Sequence, residues 1–180
     1  MTDSRTLALE KEEAYRSAFK SNARIVDRIF IRLLFLQWAA GVVLALVVAP
    51  RTWIGTHSEI HVHVWAAVAL GGLLTLFPWF VQRRRPGEAI TRHVIAIAQT
   101  LFSALLIHLS GGRIETHFHV FGSLAFLAVY RDWRVLITAT IVVAVDHILR
   151  GFLPPEISGV ILRLLALRLT PSTFQRRFDR

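Results

Sequence analysis

Five apolar runs divide most of this chain, and each is closed by arginines, glycines or prolines. They cover 29–49, stopping at Pro50; 62–81, closed by Gln82, Arg83, Arg84 and Arg85; 94–109, ended by Gly111 and Gly112; 114–130, stopped by Arg131, Asp132, Trp133 and Arg134; and 135–153, closed by Pro154 and Pro155. A bilayer core requires ~20 apolar residues in a helix, because backbone polar groups there find no water to bond. The pattern predicts an all-α, polytopic integral membrane helix bundle with five transmembrane helices, and a sixth, degenerate one if the segment after residue 160 inserts. The last three runs are the shorter or more interrupted ones: His108, Glu115, Asp146 and His147 all fall within them.

Basic residues in short loops stay on the cytoplasmic side of a membrane. Arg16, Lys20, Arg24 and Arg28 precede the first run, Arg83, Arg84, Arg85 and Arg92 follow the second, and Arg131 and Arg134 follow the fourth. These three positions share one side, which places the amino terminus in the cytoplasm and the protein in a bacterial inner membrane. Of the eight histidines, all but His93 fall at the opposite, outer end. Three segments result: a cytoplasmic leader over 1–28, a membrane bundle over 29–153 and a basic tail over 154–180.

A composition of 54% hydrophobic and only 18% charged residues excludes a typical soluble domain of this length. The formal charge of +9 does not indicate nucleic acid, since the basic residues flank apolar runs and their natural partner is the lipid bilayer with its anionic headgroups. The absence of cysteine excludes disulfides and thiolate metal sites. The polar first 28 residues carry both signs of charge and do not read as a cleavable signal peptide. No phosphate-binding loop, zinc-protease motif, nucleophile elbow or dinucleotide fingerprint occurs.

The outer histidines carry the candidate chemistry. Ionisable groups in membrane spans are costly and face cavities or partners, whereas a neutral imidazole avoids most of that cost and is a common metal ligand. His61 and His63 open the second run, His108 ends the third, His117 and His119 open the fourth and His147 lies late in the fifth. Positions two apart on a helix differ by ~200°, so one of His61 and His63, and one of His117 and His119, faces any single site. The expected metal-ligand set is His61, His108, His117, His119 and His147, with His63 replacing His61. An all-imidazole set suits haem iron, copper or zinc. Glu115, four residues before His119, would orient that imidazole. The bland alternative, interfacial histidines with one wet edge, accounts for any one of them alone. Trp38, Trp53, Trp65, Trp79 and Trp133 fit an aromatic belt, and Gly71 with Gly72 allows close helix contact.

The stretch GGRIETHFHVFGSLAFLAVYRDWR, from 111 to 134, closely resembles the membrane-embedded input region at the start of many bacterial sensor histidine kinases, which has relatives in chemoreceptors and cyclases. Supporting stretches lie at 58–67, 86–112 and 145–160, so the likeness covers roughly residues 15 to 160. The resemblance implies an input module, working as a homodimer, that passes a signal to a cytoplasmic output domain or to a kinase in trans. It implies no catalysis by this chain, which carries no kinase domain, and 161–180 departs from the expected further helix through its scattered arginines. Arg131, Asp132 and Arg134 would form the inner coupling loop. Other readings are a haem-carrying redox subunit, a metal or proton transporter subunit and a truncated remnant.

Overall fold

The computed structural model describes residues 2–48, 51–54, 57–60, 62–110 and 113–152. Side chains are described for 4–47, 64–110 and 113–149. The described chain comprises α1 (Thr2–Val48), a short antiparallel hairpin of β1 (Arg51–Ile54) and β2 (His57–Ile60), α2 (Val62–Arg84), α3 (Ala89–Leu109), α4 (Ile114–Leu127), a 3-10 turn (Ala128–Tyr130) and α5 (Trp133–Phe152). The hairpin pairs Arg51 with Ile60 and Ile54 with His57. Apart from that hairpin, the described architecture is all-helical.

The amino-terminal polar segment and the first apolar run form one uninterrupted helix of 47 residues. Neither proline nor glycine occurs between Thr2 and Trp38, so nothing in the sequence breaks it. Residues 2–28 account for roughly 40 Å of its length at 1.5 Å per residue. Most of that part is exposed, until Ala23, Val26 and Asp27 enter the core.

Three helices are long and apolar enough to cross a membrane: α1, α2 and α3. The expected count of five is therefore corrected to three among the described residues. The fourth apolar run is divided between α4, whose 14 residues reach only about 21 Å, and the 3-10 turn. In α5 the charges of Arg134 and Asp146 bracket an uncharged stretch of about 17 Å, against a hydrocarbon core of about 30 Å. The expected sixth segment and the basic tail lie outside the described residues.

α3 is the central element, packing against α1, α2, α4 and α5. Its neighbours supply the main core: Phe30 and Leu34 of α1, Ile95, Ala98 and Phe102 of α3, Leu127 and Tyr130, and Val135 and Ala139 of α5. A second cluster joins Ala45, Ala67, Leu105 and Leu109 nearer the opposite end. Outward, α2 shows Leu73, Phe77 and Phe80, and α4 shows Phe118, Phe121 and Phe126. Such apolar surface is stable against lipid tails and costly in water.

Close approach of α1 and α2 depends on the glycine pair read from the sequence. A Cβ at residue 71 would lie 2.7 Å from Trp38 Cδ1, and one at residue 72 would lie 3.1 Å from Trp38 Cζ2. The Trp38 ring therefore fills the space that side chains would occupy. This corrects its assignment to an aromatic belt: it packs between helices, with its indole N–H buried.

The α2–α3 turn, the 3-10 turn and the start of α5 define a basic end. The start of α2, the end of α3, the start of α4 and the end of α5 define the opposite, histidine end. At the basic end Arg83 lies 4.9 Å from the ring centre of Trp79 and Arg84 lies 4.8 Å from that of Phe80. Both guanidiniums thereby lay their apolar stems along their own helix.

Candidate polar sites at the two ends of the bundle

At the histidine end, α4 begins where α5 ends, and this antiparallel arrangement brings His117 and His147 together. Their ring centres are 6.4 Å apart with the planes inclined at 72°. His117 donates Nδ1–H to the Arg113 carbonyl at 3.2 Å, and His147 donates Nδ1–H to the Val143 carbonyl at 2.9 Å. Each bond runs back one helical turn, which fixes the tautomer because a carbonyl can only accept.

His119 takes the opposite direction from His117, as the ~200° separation requires. It enters the interior, where Nδ1 lies 2.7 Å from Ser103 Oγ and 3.3 Å from Ser123 Oγ. Its Nε2 lies 3.0 Å from the amide nitrogen of Gln37. Gln99 donates to Ser123 Oγ at 3.1 Å, and Ser103 donates to the Gln99 carbonyl at 3.1 Å. The network thus joins α1, α3 and α4 inside the apolar bundle, where each bond is worth more than in water and each unpaired atom costs more. Two buried acceptors, Gln37 Oε1 and Gln99 Oε1, have no partner among the described residues.

The expected five-histidine set is not assembled among the described residues, where no group of three or more His, Cys, Asp or Glu side chains could hold a metal ion. His117 and His147 meet, His119 turns inward, and His108 lies half-buried near the end of α3. His61 lies outside the described residues, and for His63, on α2, only the backbone is described. Glu115 does not orient His119: its carboxylate pairs with Arg113 at 3.6 Å, and the imidazole's partners are Ser103, Ser123 and Gln37. His93, at the basic end, has Nδ1 2.9 Å from Thr138 Oγ1.

The basic end holds a second constellation that the residue pattern left unread. Asp27 is fully buried, two residues before the apolar run of α1 begins. Its carboxylate accepts from the Gly87 backbone N–H at 2.8 Å and from the Tyr130 hydroxyl at 2.9 Å. One side chain therefore ties α1 to the α2–α3 turn and to the 3-10 turn. Gly87 is in the left-handed region at φ 77°, and a Cβ there would lie 2.8 Å from the Lys20 carbonyl oxygen, so the close approach needs glycine. Tyr130 stacks on Phe30 with ring centres 5.3 Å apart. Burial pushes the Asp27 carboxyl above the usual carboxylate range, opposed by the Gly87 and Tyr130 hydrogen bonds and by the Arg92 charge.

Arg92 counts in the sequence among the basic residues that follow the second apolar run. Its side chain lies inside the fold: it is only 7% exposed, pairs with Asp132 at 3.5 Å and lies 4.8 Å from the Phe19 ring centre. Within the expected coupling loop, Arg131 ends the 3-10 turn at φ 54° and Asp132 accepts the Arg134 backbone N–H at 3.1 Å. The signal for this site lay in an acid, Asp27, set between Arg24 and Arg28 at the entry to an apolar run.

An apolar groove between α2 and α3, lined by Leu73, Phe77, Val94, Ile97 and Leu101, offers no polar group to orient a ligand.

No protein-family model matches the chain. No solved structure matches it. Among curated proteins it is similar to the transducer protein Htr8 of Halobacterium salinarum, with 39% identity over 54 residues, which is 30% of this chain and 8% of that protein. The chain thus matches only a small part of that much longer relative, and the relationship is one of transducer-like sequence over a limited stretch.

Proposed function

We propose that this chain is the membrane-embedded input part of a bacterial signal-transducing system, of the kind that precedes histidine kinase output domains. The observation that carries the reading is the likeness to a transducer over 54 residues. The three span-length helices and the long α1 are consistent with it. In this reading the protein sits in the inner membrane with the basic end in the cytoplasm, and it perceives rather than catalyses. A change at the histidine end shifts the packing of α4 and α5 against α3. Asp27 transmits that shift, because Tyr130 follows α4 while Gly87 precedes α3. The exposed first part of α1 then carries the movement to an output domain or to a kinase in trans. Such a device biases two arrangements rather than creating a new one.

The test joins the cytoplasmic signalling part of a chemoreceptor to the amino terminus of the full chain, where α1 begins at the cytoplasmic side, and measures phosphorylation of the associated kinase. Zn²⁺, Cu²⁺, haem and dithionite serve as probes. Output that changes severalfold with one probe, and becomes insensitive to it in Asp27→Ala, supports the input role. Output that stays constant under every probe and is the same in Asp27→Ala rejects it.

A further inference from the structure

We propose that His117 and His147 form a two-imidazole site for a divalent first-row transition-metal ion, clamping the start of α4 to the end of α5. The clamp names a ligand class for the input role proposed above and rests on that role only for its biological meaning.

The argument begins with the hydrogen bonds. Both rings donate Nδ1–H to carbonyls of their own helices. That leaves Nε2 of each ring as the lone-pair nitrogen, directed away from the helix that carries it. An imidazole ligand held through its other nitrogen by a carbonyl is the usual support of a metal-bound histidine, since it fixes ring orientation and raises basicity. His119 lacks this character, because both of its nitrogens are engaged in the interior network.

The separation is within a small closure of a shared ion. With metal–nitrogen bonds of about 2.0–2.1 Å, an ion sits about 3.2 Å from each ring centre, so two ligands of one ion have centres up to about 6.4 Å apart. The observed 6.4 Å lies at that outer limit. Exposed His147 can close a bent geometry by a small side-chain rotation, and water completes the coordination. The side chain of Arg113, just before α4, is paired with Glu115, which lessens its repulsion of a cation.

The test titrates the full-length chain in detergent with Zn²⁺ by calorimetry, and with Cu²⁺ by electron paramagnetic resonance. The expected result is one saturable site, weakened at least tenfold in both His117→Ala and His147→Ala and unchanged in His93→Ala, which alters the opposite end. Nitrogen couplings from two imidazoles should fall to one in each single variant. Because His147 is exposed, its replacement should leave the metal-free unfolding midpoint unchanged. Unaltered affinity in His147→Ala, or no saturable binding, overturns the clamp. Binding is read without any signalling output, so its failure is distinct from failure of the input role.

Discussion

At the scale of single residues, Asp27 decides most. Two donors from distant parts of the chain converge on it, and removing their acceptor leaves a buried N–H and a buried O–H unsatisfied. Asp27→Ala should lower stability by about 1–3 kcal/mol per abandoned donor, whereas Asp27→Asn keeps an acceptor for Gly87 and can donate to Tyr130. Thermal unfolding in detergent checks both variants. The pH dependence has a definite sign, because burial raises the Asp27 carboxyl and the folded state holds that proton more tightly than the unfolded chain. The contribution is fully present below about pH 3.9, the unfolded value, and is lost as pH rises through the higher folded value. The parent protein should therefore lose stability relative to Asp27→Asn as pH climbs through that window; a constant difference from pH 4 to 8 would contradict the assignment. The histidines were legible as a group, and the opposite directions of His117 and His119 follow from helical geometry alone. Their separate fates were not legible, since Gln37 lies 82 positions from His119 and only packing makes them neighbours.

At the scale of elements, two glycines set how closely helices meet. Gly71→Leu must displace the Trp38 ring from the α1–α2 contact, with an expected cost of about 1–3 kcal/mol for overpacking, read as a lower unfolding midpoint. Gly72→Ala meets a 3.1 Å approach to the same ring and should cost less. Gly87→Ala combines a left-handed backbone with a 2.8 Å approach to the Lys20 carbonyl oxygen. It should be destabilising by at least ~1 kcal/mol and should weaken the Asp27 tie as well. The glycine pair in α2 was readable as a close-contact device because small residues allow backbones to approach. The role of Gly87 was not, since Pro86 and Gly87 announce a turn but not what crosses it. Helix length was readable where no charge interrupts the apolar run, as in α2, and overestimated where a 3-10 turn or a charge shortens it, as in the fourth and fifth runs.

At the scale of the whole molecule, the alternation of ends gives a prediction that the cysteine-free background makes clean to test. Single cysteines introduced at Glu88 and Arg131 should react with an impermeant maleimide from one side of the membrane, and one at Arg113 from the other. Labelling of all three from the same side would break the arrangement of basic and histidine ends. Sequence by itself determined the class of the chain, because hydrophobicity and charge are summed along a helix and need no partner: apolar runs, basic flanks and histidine-bearing ends are properties of consecutive residues. Tertiary structure alone decided which polar groups are buried together. Gln37, Ser103 and His119, or Asp27, Gly87 and Tyr130, become sites only when helices distant in sequence pack, and the low dielectric between them makes each completed hydrogen bond, and each missing one, count.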